Sequence, residues 1–260
     1  MSDNTTNVGP GLHRKLFDEG KTNIQIYTEM VLGSSGGLIK LVKFELVMLL
    51  CNGIPGALGI VLRKKLYRQF FKSIGKNVIF GRNMTIRHPH KISIENNAVF
   101  DDNTVIDAKG PSNQGIQIGN NFTMGRNSAL VCKNGDITIG DNVNITTNVN
   151  LMVSENGKIK VGNNIDIGAF THFSANSYNF ESTEILPSAQ EGKVSKGIEI
   201  EDLVWIASHV CILDGVTLKK GSIIGAGSVV TKDVPEYYIA MGIPAKPIRS
   251  RKPDVVAETN

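Results

Sequence analysis

The chain has 260 residues, 41% of them hydrophobic, with 27 glycines and with 28 Lys and Arg against 24 Asp and Glu. That is enough for one large domain or two modest ones with a real core. Three scattered cysteines, Cys51, Cys132 and Cys211, form no CxxC or Cys/His spacing, which argues against a disulfide framework or a zinc site and for a reducing compartment.

The first residues carry no basic stretch leading into an apolar run, so they do not read as a secretory signal, and a cytoplasmic location is expected. The net charge of +4 is unevenly placed: Leu46 to Ile94 holds nine Lys or Arg and no acid, leaving the rest of the chain acidic. Residues 1–73 form a first, helical segment. Leu46 to Leu62 is uncharged but short for a span and is interrupted by Asn52-Gly53 and Pro55-Gly56, which makes a transmembrane helix the second reading. The cluster Arg63, Lys64, Lys65, Arg68 and Lys72, interleaved with Leu66, Tyr67, Phe70 and Phe71, suits a helix lying peripherally on the inner face of a membrane. The competing expectation is that these helices only cap the domain that follows. No recognised nucleic-acid motif accompanies the charge.

From Ile74 a six-residue beat takes over, as in IGKNVI, IGNNFT, IGDNVN and VGNNID. Neither helical spacing nor plain alternation fits it. A short extended segment followed by a tight corner does, with Gly expected to supply the corner geometry. The aliphatic starts fall into triplets: Ile74, Phe80, Ile86; Ile94, Phe100, Ile106; Ile118, Met124, Leu130; Ile139, Ile145, Leu151; Val161, Ile167, Phe173; Ile200, Ile206, Ile212; Leu218, Ile224, Val230. Spacing is strict within each triplet, and extra residues enter only between triplets. The expectation is an all-β parallel helix of about seven coils over 74–251, with every insertion leaving one edge, a long protruding loop at 174–199 and a tail at 252–260.

The repeat, and above all VWIASHVCILDGV (Val204 to Val216) with IIGAGSVVTKDVPEYYIAMGIPAKPIR (Ile223 to Arg249), resembles the hexapeptide-repeat acyltransferases, in the galactoside, maltose and capsule-sugar O-acetyltransferase branch. The resemblance implies a left-handed β-helix, against the hand usual for parallel crossovers, and a homotrimer. It also implies acetyl-CoA as cosubstrate, a sugar or lipid-linked sugar as acceptor in surface polysaccharide biosynthesis, and no metal. The family's carrier contacts fall on Ser208, Ala226, Thr231, Lys232, Lys246 and Arg249, where the last three would meet the nucleotide phosphates.

Acyl transfer to a hydroxyl needs a base, and here the sequence departs from its family. In IGAFTHFSANSYNF (Ile167 to Phe180) the family's histidine position holds Tyr178, a poor base at an ordinary phenol pKa. His172 is the candidate substitute; a base from the arm or from a partner subunit, an amino-sugar acceptor, and a silent binding or scaffold relative are the alternatives. Two acceptor positions hold Thr146 and Ser154 where Asn and Asp are expected. Trp205 is expected to point outward, His209 to be structural, and His88 and His90 to lack a third metal ligand.

Overall fold

The structure, a computed structural model, describes residues 20–253 apart from 155, 177, 188, 189, 191 and 192. The triplets sort as their spacing predicts. Ile74, Ile94, Ile118, Ile139, Val161, Ile200 and Leu218 lie on one seven-stranded parallel sheet, and Ile86, Ile106, Leu130, Leu151, Phe173, Ile212 and Val230 on another. The sheet between them carries Phe80 through Ile224 and is extended by Tyr238–Gly242 and the antiparallel Ala245–Ser250, making nine strands. The three sheets wind as a left-handed β-helix of seven coils, with the insertions all leaving between the third sheet and the first.

Inside the prism the aliphatic columns are almost wholly buried, and at the first coils Phe80 stacks on Phe100, with ring centroids 5.6 Å apart, while Phe122 packs against Phe100 at 5.5 Å with its ring tilted. Each such side chain contributes roughly 1.5–3 kcal/mol by leaving water. Coils repeat because every inward residue covers its counterpart one turn earlier.

The corners correct one expectation. The motif glycines are not the residues with positive φ; Asn is, at Asn77, Asn97, Asn121, Asn142 and Asn164 on one edge and Asn83, Asn103, Asn127 and Asn148 on the next. Asn tolerates the left-handed region because its short amide bonds locally. Here the amides also bond to one another, Asn121 to Asn142 at 2.8 Å and Asn142 to Asn164 at 3.0 Å. The glycines serve close approach instead: a Cβ on Gly125 would lie 2.7 Å from the Thr146 carbonyl carbon of the next coil.

The amino-terminal helices α1 (Asn23–Leu32), α2 (Leu38–Cys51) and α3 (Gly56–Leu66) close the first coil, and no helix among the described residues is long and apolar enough to cross a membrane. Arg63, expected among the lipid-facing cations, is instead 2% exposed and donates to the carbonyls of Cys51, Ile54 and Phe80, each at 2.8 Å. Two of the rings expected in the headgroup layer are also buried. Tyr67 packs on Phe80 and donates to Asn52 Oδ1, and Phe71 lies against Phe80. The physical reason is the open end of the prism, whose first coil offers uncovered aromatic surface and unpaired carbonyls.

Candidate active site

Strand His172–Ala175 buries Phe173 and Ala175, so the alternation turns His172 outward. Its backbone is held on both sides. The buried Thr171 donates its hydroxyl to Ala207 O at 3.2 Å and accepts from the Val210 amide at 3.4 Å, while the His172 amide bonds Val210 O at 2.8 Å. The imidazole is half-buried, and that burial holds its pKa below the usual histidine value, leaving a neutral ring at pH 7. No described residue hydrogen-bonds to it, so its nitrogens are available to a substrate.

The corner preceding His172 aligns with the candidate carrier contacts. His209 N bonds Ala169 O at 2.8 Å and Gly227 N bonds Ser208 O at 3.0 Å, which stacks Ala169, Ser208 and Ala226 on successive coils. A chain laid along this edge from Ala226 to Ser208 advances about 4.8 Å per coil and reaches the level of His172 one step later. Thr231 and Lys232 follow strand Val229–Val230 at the far side of the third sheet, and Lys246 and Arg249 stand exposed on the carboxy-terminal hairpin, opposite Met241 and Ile239. Ser208, Ala226, Thr231 and Lys232 therefore lie on the last two coils and Lys246 and Arg249 on the hairpin that follows, with only Ser208 and Ala226 in one vertical line.

The same corner holds a pair that sequence reasoning missed. Phe170 and His209 occupy the column in which earlier coils have Asn83, Asn103, Asn127 and Asn148, both with φ near +60°, and their rings stack at 4.8 Å with an 8° tilt. A bulky side chain in that region is strained. Replacement of the corner Asn by Phe was the signal available in the sequence. Trp205 projects from the second sheet, 52% exposed, between Asp166 and Ile223.

On the acceptor side Thr146 spends its hydroxyl proton on Ile167 O at 2.9 Å, Ser154 ends strand Asn150–Ser154, and Tyr178 is exposed at the root of the arm. The arm returns to the coils through Asp214, which accepts from Ser195 Oγ at 2.7 Å and from the Gly197 amide at 2.8 Å. His88 is buried, with Nε2 3.1 Å from Glu29 O, and fastens α1; no cluster of three His, Cys, Asp or Glu side chains occurs among the described residues.

Two concavities on the coils, of about 460 and 310 Å³, lie around Lys160 and Glu199 of the first sheet and include neither His172 nor any candidate carrier contact.

Fold and repeat define a hexapeptide β-helix, and comparison with known proteins gives its family. No family model matches the chain. It is 31% identical over 184 residues to the dTDP-4-amino-4,6-dideoxy-D-glucose acyltransferase of Escherichia coli, covering 70% of this chain and 83% of that protein. It is 36% identical over 134 residues to the galactoside O-acetyltransferase of Escherichia coli K12, covering 52% of this chain and 53% of that one. The chain spans only 25 to 60% of the length of several of the relatives it matches, the galactoside O-acetyltransferase among them. Among solved structures, a mutant of AntD, an N-acyltransferase from Bacillus cereus in complex with dTDP and coenzyme A, shares the fold with a TM-score of 0.52 at 24% identity, over 75% of this chain and 91% of that one. The chain belongs to the hexapeptide-repeat acyltransferases.

Proposed function

We propose that the chain transfers an acetyl group from acetyl-CoA to a sugar hydroxyl, with His172 as the base, in the assembly of a surface polysaccharide. The observation that carries this reading is the line Ala226, Ser208, Ala169, which ends at the coil bearing a neutral, outward and unengaged imidazole. The carrier arm lies along that edge, and Lys232, Lys246 and Arg249 supply positive charge for its phosphates. His172 takes the proton of the sugar hydroxyl as its oxygen attacks the thioester carbonyl. The tetrahedral oxyanion then collapses, the carbon–sulfur bond breaks, and the departing thiolate receives the proton from His172. The products are an acetyl ester and free CoA thiol.

The 52% exposure of Trp205 supports a homotrimer in which a neighbouring copy closes the groove, with that ring either in the contact or beside the acceptor. A peripheral position on the inner face of a membrane would bring the site to lipid-linked sugars, and that attachment depends on the helical end rather than on the coils.

An amino-sugar acceptor is the second reading, favoured by one observation: the chain covers 83% of a relative named for a 4-amino sugar. An amine arriving deprotonated asks less of a base, which suits a chain with Tyr178 at the family's histidine position. Thiol release from acetyl-CoA, followed with panels of sugars, amino sugars, nucleotide sugars and lipid-linked sugars, separates the two. Release that no acceptor accelerates, together with tight acetyl-CoA binding, would reject both and leave a silent binding or scaffold relative.

A further inference from the structure

Helix α2 is apolar on both faces. Leu41, Phe44, Val47 and Cys51 pack inward, whereas Ile39, Val42, Leu46, Leu49 and Leu50 form a second stripe on the opposite side, with Ile39 87% and Leu49 81% exposed. Leu58 and Val61 of α3 add exposed apolar surface at the same end of the molecule. A helix apolar all round is normally covered on all sides, so the second stripe asks for an occupant.

Charge identifies it. Lys43 flanks one edge of the stripe and Lys40 lies further round toward the packed face, both at the mouth of a cavity of about 380 Å³ lined also by Gln69, Phe70 and His90. The exposed Lys64, Lys65 and Lys72 belong to the same end, and none of these five lysines has an acidic partner among the described residues. The acid on the other edge, Glu45, is engaged by the Tyr27 hydroxyl at 2.8 Å. Apolar side chains fringed by unpaired cations fit a surface that is oily within and negative at its rim.

We infer that the outer face of α2 docks on an anionic phospholipid bilayer, with Ile39, Val42, Leu46 and Leu49 entering the acyl boundary and Lys40 and Lys43 meeting headgroup phosphates. This rests on the peripheral-attachment part of the functional reading and not on its chemistry, so failure to bind lipid and failure to transfer acetyl are separately observed. Burial of Arg63, Tyr67 and Phe71 in the cap excludes the deeper insertion that the amino-acid pattern alone allows, and leaves a surface contact.

The test is cosedimentation of the full chain with vesicles of phosphatidylcholine alone or mixed with phosphatidylglycerol. Wild type pellets with the mixed vesicles and stays in solution with the neutral ones. Ile39→Glu with Leu49→Glu, both at exposed positions, abolishes pelleting while the thermal transition stays in place. Lys40→Gln with Lys43→Gln weakens partition about 25-fold at low salt, the effect of two cations at roughly a factor of five each, and the difference shrinks as salt rises. Wild type that ignores the mixed vesicles, or a Glu pair that pellets normally, overturns the inference. So does a Glu pair whose sedimentation mass drops below that of wild type, because a second copy of the chain would then be what covers the stripe.

Discussion

Phe170 and His209 stack face to face across two successive coils in backbone conformations that on the four earlier coils of this edge belong to asparagine. The strain sits one residue after Ala169 and two before His172, beside Ser208, where the proposed groove passes. Bulky left-handed residues persist only where surrounding structure holds them, and here the pair forms a flat aromatic wall next to the level proposed for the reaction.

Replacing Phe170 by Asn restores the corner used by Asn148 directly above it. Relief of backbone strain and loss of the ring stack are each of order 1 kcal/mol and opposite in sign, so stability should move by less than about 1 kcal/mol. Transfer should suffer more, with kcat/KM reduced about tenfold. Calorimetry paired with steady-state kinetics checks both, and an unchanged kcat/KM would make the stack a purely structural feature.

Arg63 makes the opposite prediction. Leucine at this position would leave the carbonyls of Cys51, Ile54 and Phe80 without their donor in a buried setting, at a cost of about 3 kcal/mol or more. Chemical denaturation of Arg63→Leu should show that loss in the main unfolding transition, since the cap and the first coil share these bonds. Wild-type stability would mean that the helices are attached only loosely.

Two glycines separate close approach from backbone conformation. Gly125→Ala places a methyl 2.7 Å from the next coil's backbone and should destabilise by more than about 2 kcal/mol through forced separation of coils. Gly227 has φ +71° with nothing within 4 Å of an added Cβ, so Gly227→Asn, which supplies the corner residue of earlier coils, should stay within about 1 kcal/mol of wild type. Thermal melts that ranked the two substitutions the other way would contradict this division of roles.

The fold was largely legible because a solenoid writes its core as a period. Ile74, Ile94 and Ile118 fall on one sheet simply because each triplet closes one turn. Less legible was why Gly recurs, since positive φ and close packing both select a missing Cβ, and only coordinates show that Asn77 takes the first task and Gly75 the second. Arg63 misled for a related reason: its charge is visible in a sequence, whereas three carbonyls converging from distant positions are not. On the site, the stacking of Ser208 and Ala226 followed from their spacing. The orientation of His172 followed from alternation, but its lack of a partner did not, because that depends on the coils above and below.

His172 is the proposed base. A neutral imidazole accepts the proton, so kcat/KM should be level at neutral pH and fall as the pH drops through the folded-state pKa of His172, which burial holds below 6.5. The most direct measurement is the pH dependence of acceptor-stimulated thiol release for wild type and His172→Ala, alongside acetyl-CoA binding to both. The account predicts that the variant binds acetyl-CoA normally, loses roughly 10²–10⁴-fold in kcat/KM and no longer shows the acidic limb. A variant that retains both the rate and the limb would contradict it and move the search for the base to the arm or to a neighbouring subunit.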